Sequence, residues 1–276
     1  MQGKKEKSSI LILTLGVLAI LAILSSMLFY RASSNLKLAK YESDKIKATY
    51  LVRIGIMKML TELARDTDPY DSLNEDWNRD KHDPKVFEIR SEKVFFGASD
   101  ESARFNLNAA NLEKHHLIML GLDDGIAREI IEYRTKKGKP GFEFEEEIFL
   151  IEDMTQEKYS IIKDSVTIYR GNDSRVNINT ASEKVLEAVL SDHGLVQDIL
   201  EHRTGADGEE GTEDDGIFKD NSDISMIQGV DPALFSVKSE VFRIWAESFS
   251  AEDKKMTQGA VAVMNTSAKI YNWKEY

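Results

Sequence analysis

The N-terminal part of the chain contains the apolar run ILILTLGVLAIL at residues 10–21. Residues 8–30 carry no charge, and a helix of that length crosses a hydrocarbon layer of roughly 30 Å, since each residue adds about 1.5 Å. Lys4, Lys5 and Lys7 precede the run, which favours a cytoplasmic N-terminus. The sequence therefore predicts one transmembrane helix. A cleaved secretory signal is the alternative, and the length of the run and the lack of an A-x-A site after it count against that alternative.

The predicted helix continues beyond the apolar run. Residues 32–64 contain no proline and a single glycine, Gly55. Apolar residues recur there at three- and four-residue steps, as one face of an amphipathic helix requires: Tyr50, Leu51, Ile54, Met57, Leu60 and Leu63. We expect the helix to end shortly before Pro69, because proline restricts the preceding residue and lacks an amide donor. This layout suits a subunit that packs its stem among other stems.

Short strands flank a long helical region in the rest of the chain. Strand patterns occupy residues 86–89, 93–96 and 105–108 on one side, and residues 239–246, 259–265 and 268–273 on the other. Residues 109–235 have the pattern of helices. The order is therefore strands, helices and strands again.

The helical region contains an internal repeat. Four blocks match in the same order: 105–111 with 176–182, 130–134 with 199–203, 147–151 with 223–227, and 159–161 with 235–237. Thr180, three residues before Glu183, predicts a capping box at a helix start in the second copy. Each copy also resembles the helix-hairpin-helix module, whose hairpin amides can receive a phosphate. In the first copy Asp123 and Asp124 lie where that phosphate would approach, and their charge would repel it.

Composition excludes several functional classes. The chain has no cysteine, which rules out disulfides, thiolate metal sites and cysteine nucleophiles. Acidic residues outnumber basic ones 48 to 36, and the resulting net charge of −12 disfavours binding to nucleic-acid phosphates. The five histidines form no HExxH pattern, and no serine lies in a G-x-S-x-G motif. We therefore predict that the chain is not an enzyme and has no catalytic residues.

The second copy of the repeat contains an acidic, glycine-rich loop. Between Gly205 and Asp223 the chain holds eight acids and one base. Closely spaced carboxylates on a flexible backbone can wrap Ca²⁺, which takes about six to eight oxygen ligands. An EF-hand does not fit, because aligning its glycine on Gly216 leaves no acid at the first and last ligand positions. A solvated acidic loop is the alternative. The candidate calcium ligands are Asp207, Glu210, Glu213, Asp214, Asp215, Asp220 and Asp223.

Taken together, these features resemble a known family, the protein K minor pseudopilins of the type II (general) secretion pathway. The resemblance covers essentially the whole length. It is carried by SSILIL at residues 8–13, DSLNEDW at 71–77, DESARFNLN at 100–108, VNINTAS at 176–182 and the terminal strand that ends on WKE at 273–275. The stretch at 100–108, together with the paired modules and the terminal strand, is the most specific part.

The resemblance implies an α+β, pilin-like fold, in which a long N-terminal helix packs on an antiparallel sheet and a large α-helical insertion with two helix-hairpin-helix-like repeats interrupts that sheet. The expected segments are a leader at 1–8, the stem helix at 9–66, the sheet body at 67–108 and 236–276, and the insertion at 109–235. The family also has calcium sites in its helical region, which favours Ca²⁺ binding by the acidic loop.

The resemblance further implies a place at the tip of the pseudopilus. Such a subunit is anchored in the inner membrane by a single span, with its globular part in the periplasm. Its expected partners are the minor pseudopilins called proteins I and J, the pseudopilus, and the exported substrate or the secretin. Its expected role is to help initiate pseudopilus assembly and to support export of folded proteins across the outer membrane.

Processing of the N-terminus is a further implication of the resemblance. A prepilin peptidase would cut between Ser8 and Ser9, and the new N-terminus would be methylated. The chain departs from the family here, because Ser8 stands where the family has glycine. With Ser9 first, the fifth mature residue is Leu13, where other pilins have glutamate. Loss of that carboxylate suits a first subunit with no neighbour ahead of it.

A DNA receptor of the competence type is the alternative function. That class also joins a membrane anchor to helix-hairpin-helix repeats. It predicts a basic hairpin surface and no C-terminal strands, whereas this chain has Asp123 and Asp124 at the hairpin and strand patterns up to residue 273. We therefore expect no nucleic-acid partner.

Overall fold

One long helix forms the N-terminal stem. The computed structural model describes residues 2–89, 92–250 and 255–276. It divides into two compact units, residues 1–50 and residues 51–276. Helix α1 (Gln2–Arg65) belongs to both units, so the predicted uninterrupted stem helix and its end shortly before Pro69 are confirmed.

The first unit is helical throughout its described residues and buries almost none of its apolar surface. Leu13 is 70% exposed and Phe29 is 77% exposed. The most apolar part of α1 has a mean hydropathy of 2.7, and none of it is buried by protein. By length and composition, α1 is the one helix in the described part of the chain that could cross a membrane.

The second unit contains strands and short helices. Its strands, in chain order, are β1 (Lys85–Ile89), β2 (Glu92–Asp100), β3 (Phe105–Asn106), β4 (Val166–Thr167), β5 (Val176–Asn177), β6 (Phe235–Ser236), β7 (Val241–Ser250), β8 (Met256–Asn265) and β9 (Ile270–Glu275). Its helices are α2 (Lys114–Met119), α3 (Asp124–Lys137), α4 (Gln156–Ile162), α5 (Glu183–Leu190), α6 (His193–Arg203) and α7 (Asn221–Ile224), with 3₁₀ turns at Glu145–Leu150 and Pro232–Leu234.

Five strands form one antiparallel sheet in the order β1-β2-β7-β8-β9. Strands β2 and β7 are neighbours in this sheet, with Phe96 opposite Ala246, although the whole helical region lies between them in sequence. The predicted pilin-like arrangement, a long helix with an antiparallel sheet and a helical insertion, is therefore confirmed. The exact boundaries of the insertion stay a prediction.

The second half of α1 packs against one face of this sheet. Val52, Ile56 and Met59 of the helix are almost completely buried, in one cluster with Val94 and Ile244 of the sheet. Alternate residues of β2 and β7 point towards the helix, as the two-residue period of a strand requires. Burial of this apolar stripe holds the sheet to the stem.

The apolar residues of the predicted helix face are divided between buried and exposed positions. Leu51, Leu60 and Leu63 are buried, but Ile54 and Met57 are 46% and 47% exposed and Tyr50 is 62% exposed. The stem has apolar residues on two sides, and the sheet covers only the side that includes Gly55. The other side remains an exposed apolar stripe.

The helical insertion has its own core. Leu117 of α2, Ile130 of α3, Leu186 of α5 and Ile199 of α6 are completely buried and belong to one cluster. The pairs α2–α3 and α5–α6 are each joined by a short turn, and α2 also contacts α5. The two copies of the repeat therefore pack against each other.

Each copy is closed by a two-residue parallel strand pair. Phe105 lies opposite Val166 in the first copy, and Val176 lies opposite Phe235 in the second. Since residues 105 and 176 are equivalent, residue 235 is equivalent to residue 166. The predicted match of residues 159–161 with 235–237 is therefore wrong, because residues 159–161 lie in α4.

Gly55 is required where α1 approaches the sheet. A Cβ atom there would lie 2.9 Å from Cβ of Ala246 and 3.1 Å from Cγ1 of Val94, so Gly55→Val should destabilise the fold by about 1–3 kcal/mol through overpacking. Thermal unfolding of the full chain measures this loss. The matched control is Gly125→Val in α3, where no atom lies within 4 Å of the added Cβ and little change is expected. Equal melting temperatures of the two variants would contradict this packing.

Candidate functional site

The end of β2 carries a buried carboxylate that joins three parts of the chain. Oδ2 of Asp100 accepts hydrogen bonds from Asn177 (3.0 Å), the Thr180 hydroxyl (2.5 Å) and the Ser239 hydroxyl (2.6 Å). Its Oδ1 accepts the amide of Ser102 at 2.6 Å. Burial raises the pKa of Asp100, and the hydroxyl and amide donors act against that rise. Asp100 therefore connects the sheet to the second copy of the repeat.

The role of Thr180 differs from the predicted one. Helix α5 begins at Glu183, and its N-cap residue is Ser182, not Thr180. The Thr180 hydroxyl donates to Asp100 instead of capping the helix. The capping-box prediction is therefore wrong, because a buried carboxylate from a distant strand takes the hydroxyl that the local pattern assigns to the helix.

Glu101, the next residue, forms a buried ion pair. Arg243 of β7 donates to both of its carboxylate oxygens at 2.9 Å, and also to Glu145 of the insertion at 2.7 Å. Burial alone would raise the pKa of Glu101, but Arg104 and Arg243 hold it below its usual range. The sequence analysis assigned no role to Glu101. An acid pair at the end of a strand, followed by an arginine, is the signal that could have indicated it.

Asp71 belongs to the same junction. Its Oδ2 accepts the Ser239 amide at 2.6 Å, its Oδ1 is 3.2 Å from Nζ of Lys238, and its carbonyl accepts Asn177 at 3.1 Å. Burial raises the pKa of Asp71 to about 7, although the Ser239 amide and Lys238 oppose the rise. The stretches at 71–77, 100–108 and 176–182, which carry the family resemblance, therefore meet at one place.

The raised pKa of Asp71 predicts a specific pH dependence of stability. Between its ordinary pKa of 3.8 and about 7, the folded chain holds a proton that the unfolded chain releases. Binding of this proton raises the free energy of unfolding. This stabilisation is complete below pH 3.8 and is lost as the pH rises through about 7. The stability of the wild type relative to Asp71→Asn should therefore fall with rising pH across this window. Urea unfolding of both proteins at a series of pH values measures it, and a constant difference would contradict it.

One asparagine in each copy holds the residue that follows a loop. Asn108 donates to the carbonyl of Phe142 at 2.9 Å and accepts its amide at 2.8 Å. Asn179 makes the same two bonds to Phe218, each at 2.9 Å. The stretches at 135–141 and 204–217 therefore end at equivalent places, although the first begins in the last residues of α3. The second loop is twice as long and acidic, whereas the first contains three lysines.

The acidic loop brings two of the predicted ligands, Asp214 and Asp215, together around Thr212. Oδ2 of Asp214 accepts the amides of Ala206 (2.7 Å) and Asp207 (3.1 Å), so the two sides of the loop meet. The Thr212 hydroxyl lies 2.8 Å from Asp214 Oδ1 and 3.0 Å from Asp215 Oδ1. The Thr212 hydroxyl and the loop amides lower the pKa of Asp214. The carboxylates of Asp214 and Asp215 therefore lie close together, whereas the Asp207 carboxylate accepts the amide of Glu209 at 2.8 Å.

The other predicted ligands do not join this group, and most of them contact other parts of the chain. Glu210 is 2.6 Å from the guanidinium of Arg203, and Glu213 is exposed on the loop. Asp220 caps α7 by accepting the amides of Ser222 and Asp223, and Asp223 accepts the amide of Lys219 at 2.8 Å. These two acids stabilise the helix that follows the loop.

The hairpin tips carry acids that already have partners. Asp123 lies 3.0 Å from Lys158, and Asp124 lies 2.5 Å from Lys114. In the second copy the side chain of Asp192 accepts the amides of Gly194 and Leu195 at the start of α6. In the second copy an acidic side chain therefore occupies amides that a phosphate would need.

Ser8 and Ser9, the predicted processing site, lie inside α1. The helix runs through this position without a break. Cleavage between them stays a prediction.

A solved structure shares most of this fold. No family model matches the chain, and no curated protein matches it. The fold is that of a chain in a secretion-system complex. The solved structure is "The Crystal Structure of the GspK-GspI-GspJ complex from enterotoxigenic Escherichia coli Type 2 Secretion System". The likeness has a TM-score of 0.58 at 16% sequence identity, and it covers 89% of this chain and 99% of that chain.

Proposed function

We propose that the chain is a minor pseudopilin of the protein K type, located at the tip of a type II secretion pseudopilus. There it would help to initiate pseudopilus assembly and support export of folded proteins across the outer membrane. The observation that carries this proposal is the fold likeness, because it covers 89% of this chain and 99% of the similar chain. The stretches that resemble the family support it, since they meet at one buried junction.

The stem supports a membrane-anchored, assembling subunit. Its apolar N-terminal run is uncovered by protein, as a span in the inner membrane would be, and the proposed orientation places the sheet and the insertion in the periplasm. Ile54 and Met57 form an exposed apolar stripe on the part of α1 that packs on the sheet. Neighbouring stems could cover that stripe, because burial of apolar surface drives such contacts.

The proposed partners are proteins I and J of the same pathway. The similar chain comes from a complex of GspK with GspI and GspJ, which supports partners of this kind. The pseudopilus, the exported substrate and the secretin complete the proposed set. The proposal includes no enzymatic activity and no nucleic-acid partner. Strands β7–β9 and the acids at the hairpin tips count against a DNA receptor.

Processing of the N-terminus tests the proposed function. We expect coexpression with an active prepilin peptidase to yield a chain that begins at Ser9 and carries a methyl group, because a pseudopilin must lose its charged leader to enter the assembly. Intact mass and N-terminal sequencing measure this. Coexpression with an inactive peptidase is the control, and Ser8→Gly should increase the cleaved fraction.

An uncut chain with the active peptidase would contradict the pseudopilin proposal. It would mean a permanent anchor, and the DNA-receptor alternative would then be tested by salt-dependent binding of duplex DNA.

We propose that the acidic loop binds Ca²⁺. The donor set fits a hard cation, because Asp214 and Asp215 offer carboxylate oxygens next to the Thr212 hydroxyl, with further carboxylates on the same loop. Ca²⁺ would supply a charge-neutralising link across the loop, in a chain that has no disulfide. The loop also contacts the sheet body, since Asn74 donates to the carbonyl of Thr212 at 3.3 Å.

Calcium should raise the melting temperature of the full chain. A ligand that binds only the folded state at about 100 times its dissociation constant adds about 2.7 kcal/mol of stability. For a chain of this size, each 1 kcal/mol moves the melting temperature by about 2–4 °C. The double variant Asp214→Asn/Asp215→Asn should lose the difference between excess calcium and EDTA.

The matched control removes two charges from the first copy. Glu143→Gln/Glu146→Gln changes the net charge equally and should keep the calcium response. A wild-type melting temperature that is the same in calcium and EDTA would count against the loop site, whatever the outcome of the processing experiment.

A further inference from the structure

The turn between α5 and α6 carries a cluster of ligand-type side chains that the proposed function does not use. Glu183 is the first residue of α5, Glu187 lies one helical turn later, and His193 is the first residue of α6. One ligand atom from each side chain lies within 4.8 Å of the other two. Nδ1 of His193 is 3.0 Å from Oε1 of Glu187. Glu183 and His193 are exposed, so an ion from solvent can reach the cluster.

We propose that Glu183, Glu187 and His193 bind one divalent transition-metal ion of the zinc class across the α5–α6 turn. Such an ion binds imidazole nitrogen and carboxylate oxygen at about 2.0–2.2 Å. Small rotations of the three side chains would bring their ligand atoms to these distances from one ion. Three protein ligands leave a position for water. The nitrogen ligand distinguishes this site from the acidic loop, since Ca²⁺ takes oxygen ligands and imidazole suits zinc and its neighbours.

A second side chain orients one of the ligands. Nε2 of Gln197 donates to Oε1 of Glu183 at 3.0 Å. Gln197 lies one turn after His193 on α6, so its amide holds the Glu183 carboxylate on the side where α6 begins. A hydrogen bond of this kind positions a metal ligand without touching the metal.

In the first copy of the repeat, an ion pair has the linking role that we propose for the metal in the second copy. There Lys114 at the start of α2 and Asp124 at the start of α3 form an ion pair at 2.5 Å, which links the two helices directly. In the second copy two carboxylates and an imidazole gather between the corresponding helices. A bound dication would neutralise the carboxylates and link α5 to α6, as the ion pair links α2 to α3.

Titration calorimetry of the purified full chain with Zn²⁺ tests this proposal. Excess Ca²⁺ is present throughout, so that hard-cation sites such as the acidic loop are occupied. We expect one Zn²⁺ per chain for the wild type and loss of that binding in His193→Asn and in Glu187→Gln. Gln197→Ala should weaken the affinity by about tenfold or more, because it removes the positioning hydrogen bond.

The matched control is the exposed histidine–glutamate pair of the first copy. Nδ1 of His115 lies 3.4 Å from Glu113, but that pair is not part of a three-ligand cluster among the described residues. Glu113→Gln/His115→Asn should therefore leave Zn²⁺ binding unchanged. Circular dichroism checks that each variant is folded. If a ligand variant fails to fold, Gln197→Ala provides the same test from outside the ligand set.

Absence of Zn²⁺ binding by the wild type would overturn the proposal. Equal affinity of the wild type, His193→Asn and Gln197→Ala would also overturn it, because the ion would then be bound elsewhere. The result is independent of the calcium and processing experiments.

Discussion

Two adjacent carboxylates buried at the end of one strand govern how the helical insertion is attached to the sheet. A buried charge is unfavourable unless it is paired or hydrogen-bonded, and the two residues meet this constraint differently. Glu101 has the Arg243 guanidinium, which pairs with it across neighbouring strands and reaches Glu145 of the insertion. Asp100 has neutral donors from the second repeat and from the segment before β7. Each requires its partners in one place, so together they specify the orientation of the insertion on the sheet.

Inside the insertion, buried polar side chains also fix the position of segments that are distant in sequence. Asn108 and Asn179 each hold the residue that follows a loop, Phe142 or Phe218, through a pair of hydrogen bonds. Because one side chain fixes the residue at which each loop ends, the preceding loop can change in length and charge without disturbing the helices. In the second copy this loop is longer and acidic. Side chains that can bind an ion are therefore present there, while the helices around the loop keep their arrangement. The two copies share the helices and the residues that hold the loop ends, whereas the loops differ. Sequence similarity between the copies is therefore confined to short blocks.

The coarse architecture was predictable because it depends on local, repeated signals. The stem needs only an uninterrupted run of helix-compatible residues that ends before Pro69, and the strands flanking the insertion show their two-residue period. Details that depend on a partner from far along the chain were not predictable in the same way. Ile54 is apolar and correctly spaced, but the sheet lies on the other side of the helix. Thr180 has the right spacing for a cap, but Asp100 takes its hydroxyl. The fourth repeat block was misplaced because a two-residue strand carries too little pattern to align.

For the candidate sites, the sequence by itself determined the chemistry: a membrane-length apolar helix, an acidic loop with oxygen donors, and a chain without thiols. Tertiary structure decided which of those groups meet. It brought Asp214 and Asp215 together around Thr212 and placed Asp220 at a helix start. It also brought His193 to Glu187 and built the junction around Asp100. Composition and spacing record which groups are present, whereas the distances between them depend on how the helices and strands pack.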